Sequence, residues 1–225
     1  MRGLMPFDSV QVARLGGAWG SMGALIASDG SAHHPYLQRL ARNEEPLRDL
    51  SDAVHHICLL HGRHPGVIDH ALGHARLGIE RDWLEAAADA FVIERAFLVR
   101  IVAAAGPMPS TPGHAETEAA TAAQRHAIDM LAQSDRAGCA TGAAIALAMD
   151  WAVIRETLDA AGERLGLTPP PSQLPLAEET VTVVDTLVRE GMLERAMLFG
   201  AQQLFAQHRG LWDLLEARAS ARNKQ

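Results

Sequence analysis

Five polar residues stand where a helical reading of the chain calls for apolar ones: His61, Glu94, His126, Asp150 and Glu194. Glu94 is the clearest. It shares a helical face with Trp83, Ala87, Phe91, Leu98 and Ile101. His61 prolongs the face formed by Leu50, Val54, Ile57 and Cys58, and His126 follows Ala119 and Ala123 beside Met130. Asp150 adjoins Leu147, Trp151 and Ile154, and Glu194 and Arg195 enter the apolar arc of a long C-terminal segment. A core-facing carboxylate costs several kcal/mol unless it is paired. Carboxylates and histidines projecting from facing helices are the donor set of a two-metal iron or manganese centre, and of zinc sites. A metal ion would supply the positive charge that buried carboxylates require. The alternatives without metal are a buried Glu94–Arg195 ion pair or a hydrogen bond from His126 to Glu94.

A second group is the histidines. Of the 11 in the chain, eight fall between His33 and His74: His33, His34, His55, His56, His61, His64, His70 and His74. His70 and His74 are four residues apart and could share one zinc ion from a single helix face, whereas His55 and His56 are expected to point outward. His61 or His126 could also serve as the axial ligand of a haem. The remainder of the cluster reads as a polar edge.

The chain resembles ferritin-like proteins in architecture alone. Their Glu-x-x-His signature is missing, because Phe97 stands three residues after Glu94 and Met197 three after Glu194. A haem-oxygenase-like up-down arrangement fits the same helix pattern. No phosphate-binding glycine loop, His-Glu-x-x-His or nucleophile elbow is present. Ile93-Glu-Arg-Ala-Phe-Leu98 echoes Leu193-Glu-Arg-Ala-Met-Leu198, either as the remnant of a duplicated helix pair or by chance.

The elements that must position these residues are helices. Periodicity predicts Glu45–His61, a short Val67–Leu77, Asp82–Gly106, a helix capped by Thr111 with Pro112 at its first position, Cys139–Leu165, and a long Ala177–His208 expected to be central. The helix after Pro112 is expected to turn Ala119, Ala123, Ala127 and Met130 inward. Gly210 is read as an interruption before a last short helix, Leu211–Ala219. The fold class is therefore all-α: one bundle of five or six main helices over residues 36–219, with 1–35 partly helical and 220–225 a frayed tail.

Composition bounds the rest. The 225 residues are 48% apolar and 21% charged, the balance of a globular domain. A formal charge of −7 argues against nucleic acid as a partner. No uncharged run reaches the ~20 apolar residues of a membrane span. With two cysteines, Cys58 and Cys139, expected as buried free thiols, and no leader pattern, the chain reads as cytoplasmic. Two functions compete: a bundle holding a carboxylate/histidine centre for iron, manganese or zinc, or a non-catalytic bundle that binds a partner chain, a second copy of itself, or a small apolar ligand.

Overall fold

The computed structural model describes residues 17–109, 111–189 and 194–224. Among these residues there are nine α-helices, one 3-10 turn and no strand. The helices are α1 (Gly17–Asp29), α2 (Pro35–Ala41), α3 (Leu47–His61), α4 (Val67–His74), α5 (Ile79–Ala105), α6 (His114–Ala132), α7 (Cys139–Arg164), α8 (Ala177–Arg189) and α9 (Glu194–Asn223), with the turn Ser31–His33 between α1 and α2. The fold is all-α as expected, and the described residues hold nine helices where five or six main ones were expected. Only α3, α5, α6, α7 and α9 reach 15 residues. No helix among the described residues is long and apolar enough to cross a membrane.

The central helix is α7, not the segment from Ala177 to His208. It packs against α1 to α6 and α9, and 19 of its 26 residues are buried. A run of alanines from Ala143 to Ala148, broken only by Ile145 and Leu147, lets neighbours approach on every side. Its closest neighbour is α9. A Cβ at Gly142 would lie 2.0 Å from the carbonyl oxygen of Met197, and one at Gly200 would lie 2.0 Å from that of Cys139. The two backbones cross in direct contact, so only glycine fits at either position.

Of the expected Ala177–His208 helix, residues 190–193 lie outside the described residues, and those described form α8 and α9, which pack in different places. α8 lies on α1 and α5, with Trp83 Nε1 donating to Thr180 Oγ1 at 3.2 Å. α9 runs unbroken through Gly210 to Asn223. Gly210 costs a helix about 1 kcal/mol relative to alanine, which packing of Leu211, Trp212 and Leu215 outweighs. The tail read as frayed is held by Arg218 and Arg222 (below).

Two smaller expectations also change. Thr111 does not cap α6, which starts at His114 after Gly113. The buried face of α6 is Thr117, Thr121, Ile128, Leu131 and Ala132, while Ala119, Ala123 and Met130 are exposed. Alanine fixes no face by itself, and a threonine buries its methyl group at little cost when its hydroxyl bonds back to the helix, as Thr117 does to the Gly113 carbonyl at 3.0 Å. Cys139 is a buried free thiol, and Cys58 is free but only half-buried.

Candidate functional site

Three buried polar networks run through this core. The first holds Glu94, which is fully buried on α5 as its position in the apolar stripe requires. Its partner is Arg155 of α7, whose Nη1 donates to Oε1 at 2.7 Å and Oε2 at 2.8 Å, and Trp151 Nε1 donates to Oε2 at 3.0 Å. Arg155 spends its other nitrogens as well. Nε donates to Asp159 at 2.6 Å and Nη2 to the Pro170 carbonyl, and its guanidinium lies over the Phe97 ring. Glu94 therefore belongs to a closed cluster that ties α5, α7 and the Pro-rich connection together. The expected partners are elsewhere: Arg195 and His126 are both exposed. Arg155 was concealed because its i,i+4 carboxylate, Asp159, reads as a surface ion pair.

The second network ties α3 to the end of α9. Arg218 bonds both oxygens of Asp52 at 2.8 Å, and Arg222 bonds Asp52 at 2.7 Å and Asp49 at 2.6 and 3.0 Å. Thr111 Oγ1 accepts from both arginines. Burial alone would raise the Asp52 carboxyl, but the bonds from Arg218 and Arg222 outweigh it and hold the group below the usual carboxylate range. The sequence signal was the matching spacing, two aspartates three apart on α3 against two arginines four apart on α9.

The third network is different in kind. Asp150 of α7 accepts from the Ser31 backbone N–H at 2.7 Å, from the Ser31 hydroxyl at 2.5 Å and from His208 Nδ1 of α9 at 2.5 Å. His208 Nε2 then faces His61 Nε2, at the last residue of α3, at 2.9 Å. All four residues are buried. The proton positions follow from one group that can only donate. Trp212 Nε1–H donates to Ser31 Oγ at 2.8 Å, so the Ser31 proton points at Asp150. A carboxylate taking three hydrogen bonds only accepts, so His208 carries a proton on Nδ1. When its Nε2 is unprotonated, that atom accepts from His61 Nε2–H, which leaves His61 Nδ1 as a bare lone pair with no partner among the described residues. Burial keeps His61 well below the usual histidine range. It is neutral near pH 7, the form in which that lone pair is available.

The Ser31 turn fits against Asp150 because residue 30 is glycine. A Cβ there would sit 2.5 Å from the Ile26 carbonyl oxygen and 3.2 Å from Asp150 Oδ1. Ser, His and Asp occur together, but not in the order of a hydrolytic triad, where the serine bonds the histidine. Here Ser31 bonds the carboxylate and is fully buried, so it is no nucleophile.

His61 opens on a small cleft of about 20 Å³, walled by Phe91, Arg63, Arg95, Arg125 and Asp129 among others. Arg95 is committed to Asp69, at 2.9 and 3.4 Å. Arg63 and Arg125 have no carboxylate partner among the described residues. Trp151 lies edge-on to His61 at 5.7 Å and so joins the first network to the third.

Of the five residues singled out from sequence, Asp150 and His61 therefore come together through His208. Glu94 lies in the neighbouring cluster, His126 is exposed on α6, and Glu194 is half-buried at the start of α9. Among the described residues, no group of three or more His, Cys, Asp or Glu is placed to hold a metal ion. His126 was put inward by the same alanine-based face that misplaced α6. His208, Ser31 and Trp212 were missed, although His208 is in register with Leu204, Leu211 and Leu215 on the buried face of α9. In the histidine cluster, His56 is buried rather than outward, with Nδ1 on the Asp52 carbonyl at 2.8 Å, while His70 is half-buried and His74 exposed. The echo between residues 93–98 and 193–198 does not carry equivalent roles: Glu94 and Arg95 are buried, Arg195 is exposed.

No curated protein and no solved structure matches the chain. A family model matches residues 26–223, from the last turn of α1 to the end of α9, and so takes in all three networks. The chain belongs to that family, described as a family of unknown function (DUF6975).

Proposed function

We propose that the protein is an acid–base catalyst in which His61 Nδ1 takes a proton from a water molecule in the adjoining cleft. The observation that carries this is the unbroken chain of contacts from Asp150 through His208 to His61, with its far end unpartnered; in the reading proposed, His208 is neutral and accepts from His61. As His61 takes the proton, its Nε2–H shifts toward His208 Nε2 and the charge develops beside Asp150, which stabilises it in a low-dielectric site. The cleft has room for about one water, so the group next to the base is water and the reaction class is hydrolysis. Arg63 and Arg125 at the same cleft favour an anionic substrate held at its mouth. Asp150, His208 and Ser31 are positioning residues, because none of them reaches the cleft.

Ring ¹⁵N spectra of the histidines, combined with turnover of p-nitrophenyl acetate, test this reading. The expected result is an unprotonated Nδ1 on His61 at pH 7 and a steady p-nitrophenol release, without an acyl-enzyme, that falls to background in His61→Gln. In His208→Gln the release slows about 10²-fold, within the range for a positioned base. A protonated Nδ1, or release that persists in His61→Gln, overturns the proposal.

A further inference from the structure

A second cleft, of about 150 Å³, lies between α3 and α6 under Met108. None of Asp150, His208, His61 and Ser31 lines it, although Arg125 lines both clefts. On its α3 wall stands His56, which is 2% exposed. The Asp52 carbonyl can only accept, so His56 carries its proton on Nδ1, and its Nε2 lone pair has no partner among the described residues. On the α6 wall stand Arg125, with no carboxylate partner among the described residues, and Thr121, which is 4% exposed with a hydroxyl that has no hydrogen-bond partner. Leu59 and Ala122 add apolar lining. Glu118 is drawn to His114, 3.4 Å away, and its side chain is mostly solvent-exposed.

A buried hydroxyl with no partner costs about 1–3 kcal/mol when left unmet, and the His56 lone pair on the facing wall takes no donor from the described residues. A ligand that satisfied both would recover that cost. It must give a hydrogen bond to His56 and receive them from Arg125 and Thr121. A volume near 150 Å³ is about that of a cavity that takes up benzene, which sets the size at about six heavy atoms. We infer that this cleft binds a short hydroxy acid, its hydroxyl donating to His56 Nε2 and its carboxylate received by Arg125 and Thr121. Burial, only partly offset by the bond to the Asp52 carbonyl, keeps His56 below the usual histidine range, so the lone pair is present at neutral pH.

Isothermal titration of the full chain with lactate (both enantiomers), propionate and inorganic phosphate at pH 7.5 tests the inference. Lactate is expected to bind, and propionate, which lacks only the hydroxyl, about tenfold more weakly. Thr121→Val, of equal size, weakens lactate several-fold, and Arg125→Gln abolishes binding. His61→Gln leaves the affinity unchanged, which separates this site from the relay. Equal affinity for lactate and propionate, preference for phosphate, or no binding of any of the three up to 50 mM, about a hundred times weaker than a submillimolar site, each sinks it.

Discussion

Asp150 and Arg155 leave the same helix five residues apart and enter opposite kinds of network. Around Arg155 every nitrogen has a named acceptor, and Glu94 takes three bonds with both oxygens used. That cluster is closed, and its role ends with holding α5, α7 and the Pro-rich connection together. Around Asp150 the contacts form chains, one from Trp212 through Ser31 and one from His61 through His208, and one end is open. The difference teaches how to tell a fastening from a site when both are buried and ionisable. Burial and charge are common to the two. What separates them is whether the donors and acceptors balance inside the protein.

The largest expected effect lies in the closed cluster. Arg155→Leu leaves Glu94 buried without its cation and should lower stability by about 3–5 kcal/mol. Replacing both partners with apolar residues, Glu94→Leu with Arg155→Met, should restore most of that loss, because no charge is then left unpaired. Urea denaturation midpoints of the single and double variants measure both. A double variant no more stable than Arg155→Leu would show that the cluster does more than compensate one charge with another.

The open chain should declare itself in the pH dependence. His61 and His56 both lie below the ordinary histidine value of 6.5, chiefly through burial. In the unfolded chain they take up protons near that value, whereas in the folded protein they resist until lower pH. The unfolded state thus binds more protons below pH 6.5, and stability is full above that pH and falls below it. Each histidine contributes a slope of up to about 1.4 kcal/mol per pH unit. His61→Gln should remove its own share of that slope between pH 6.5 and 5, whatever it does to stability at pH 8. If the wild-type midpoint in urea is flat across this interval, the buried neutral state assigned to these histidines is wrong.

The two networks were not equally legible in the sequence. Glu94 announced itself because a lone carboxylate in a stripe of Trp, Phe, Leu and Ile breaks an otherwise strong helical period. The helices α3, α5 and α7 were readable for the same reason. Its partner was not readable, since helical spacing places a residue on a face but does not say which helix lies opposite. The relay was harder still. Its links come from α3, the turn before α2, α7 and α9, and Ser31 enters through its backbone as well as its side chain. The error in α6 has a plain cause: alanine and threonine sit on either side of a helix at little cost, so a face rich in them carries little directional information.

The smallest expected effect sharpens the same contrast from outside. His126 is exposed on α6, and no hydrogen bond or ion pair joins it to the described residues. His126→Ala should therefore change stability by no more than about 0.5 kcal/mol, with the His61-dependent hydrolysis rate unaltered. His126 is also one turn from Ala122 and next to Arg125, so it borders both clefts without lining either. A loss of more than about 1 kcal/mol, or a changed His61 rate, would mean that α6 sits rotated from its described position. That rotation would carry Arg125 and Thr121 with it. The assignment of the lactate site thus depends on this near-silent substitution as much as on the variants that line the cleft.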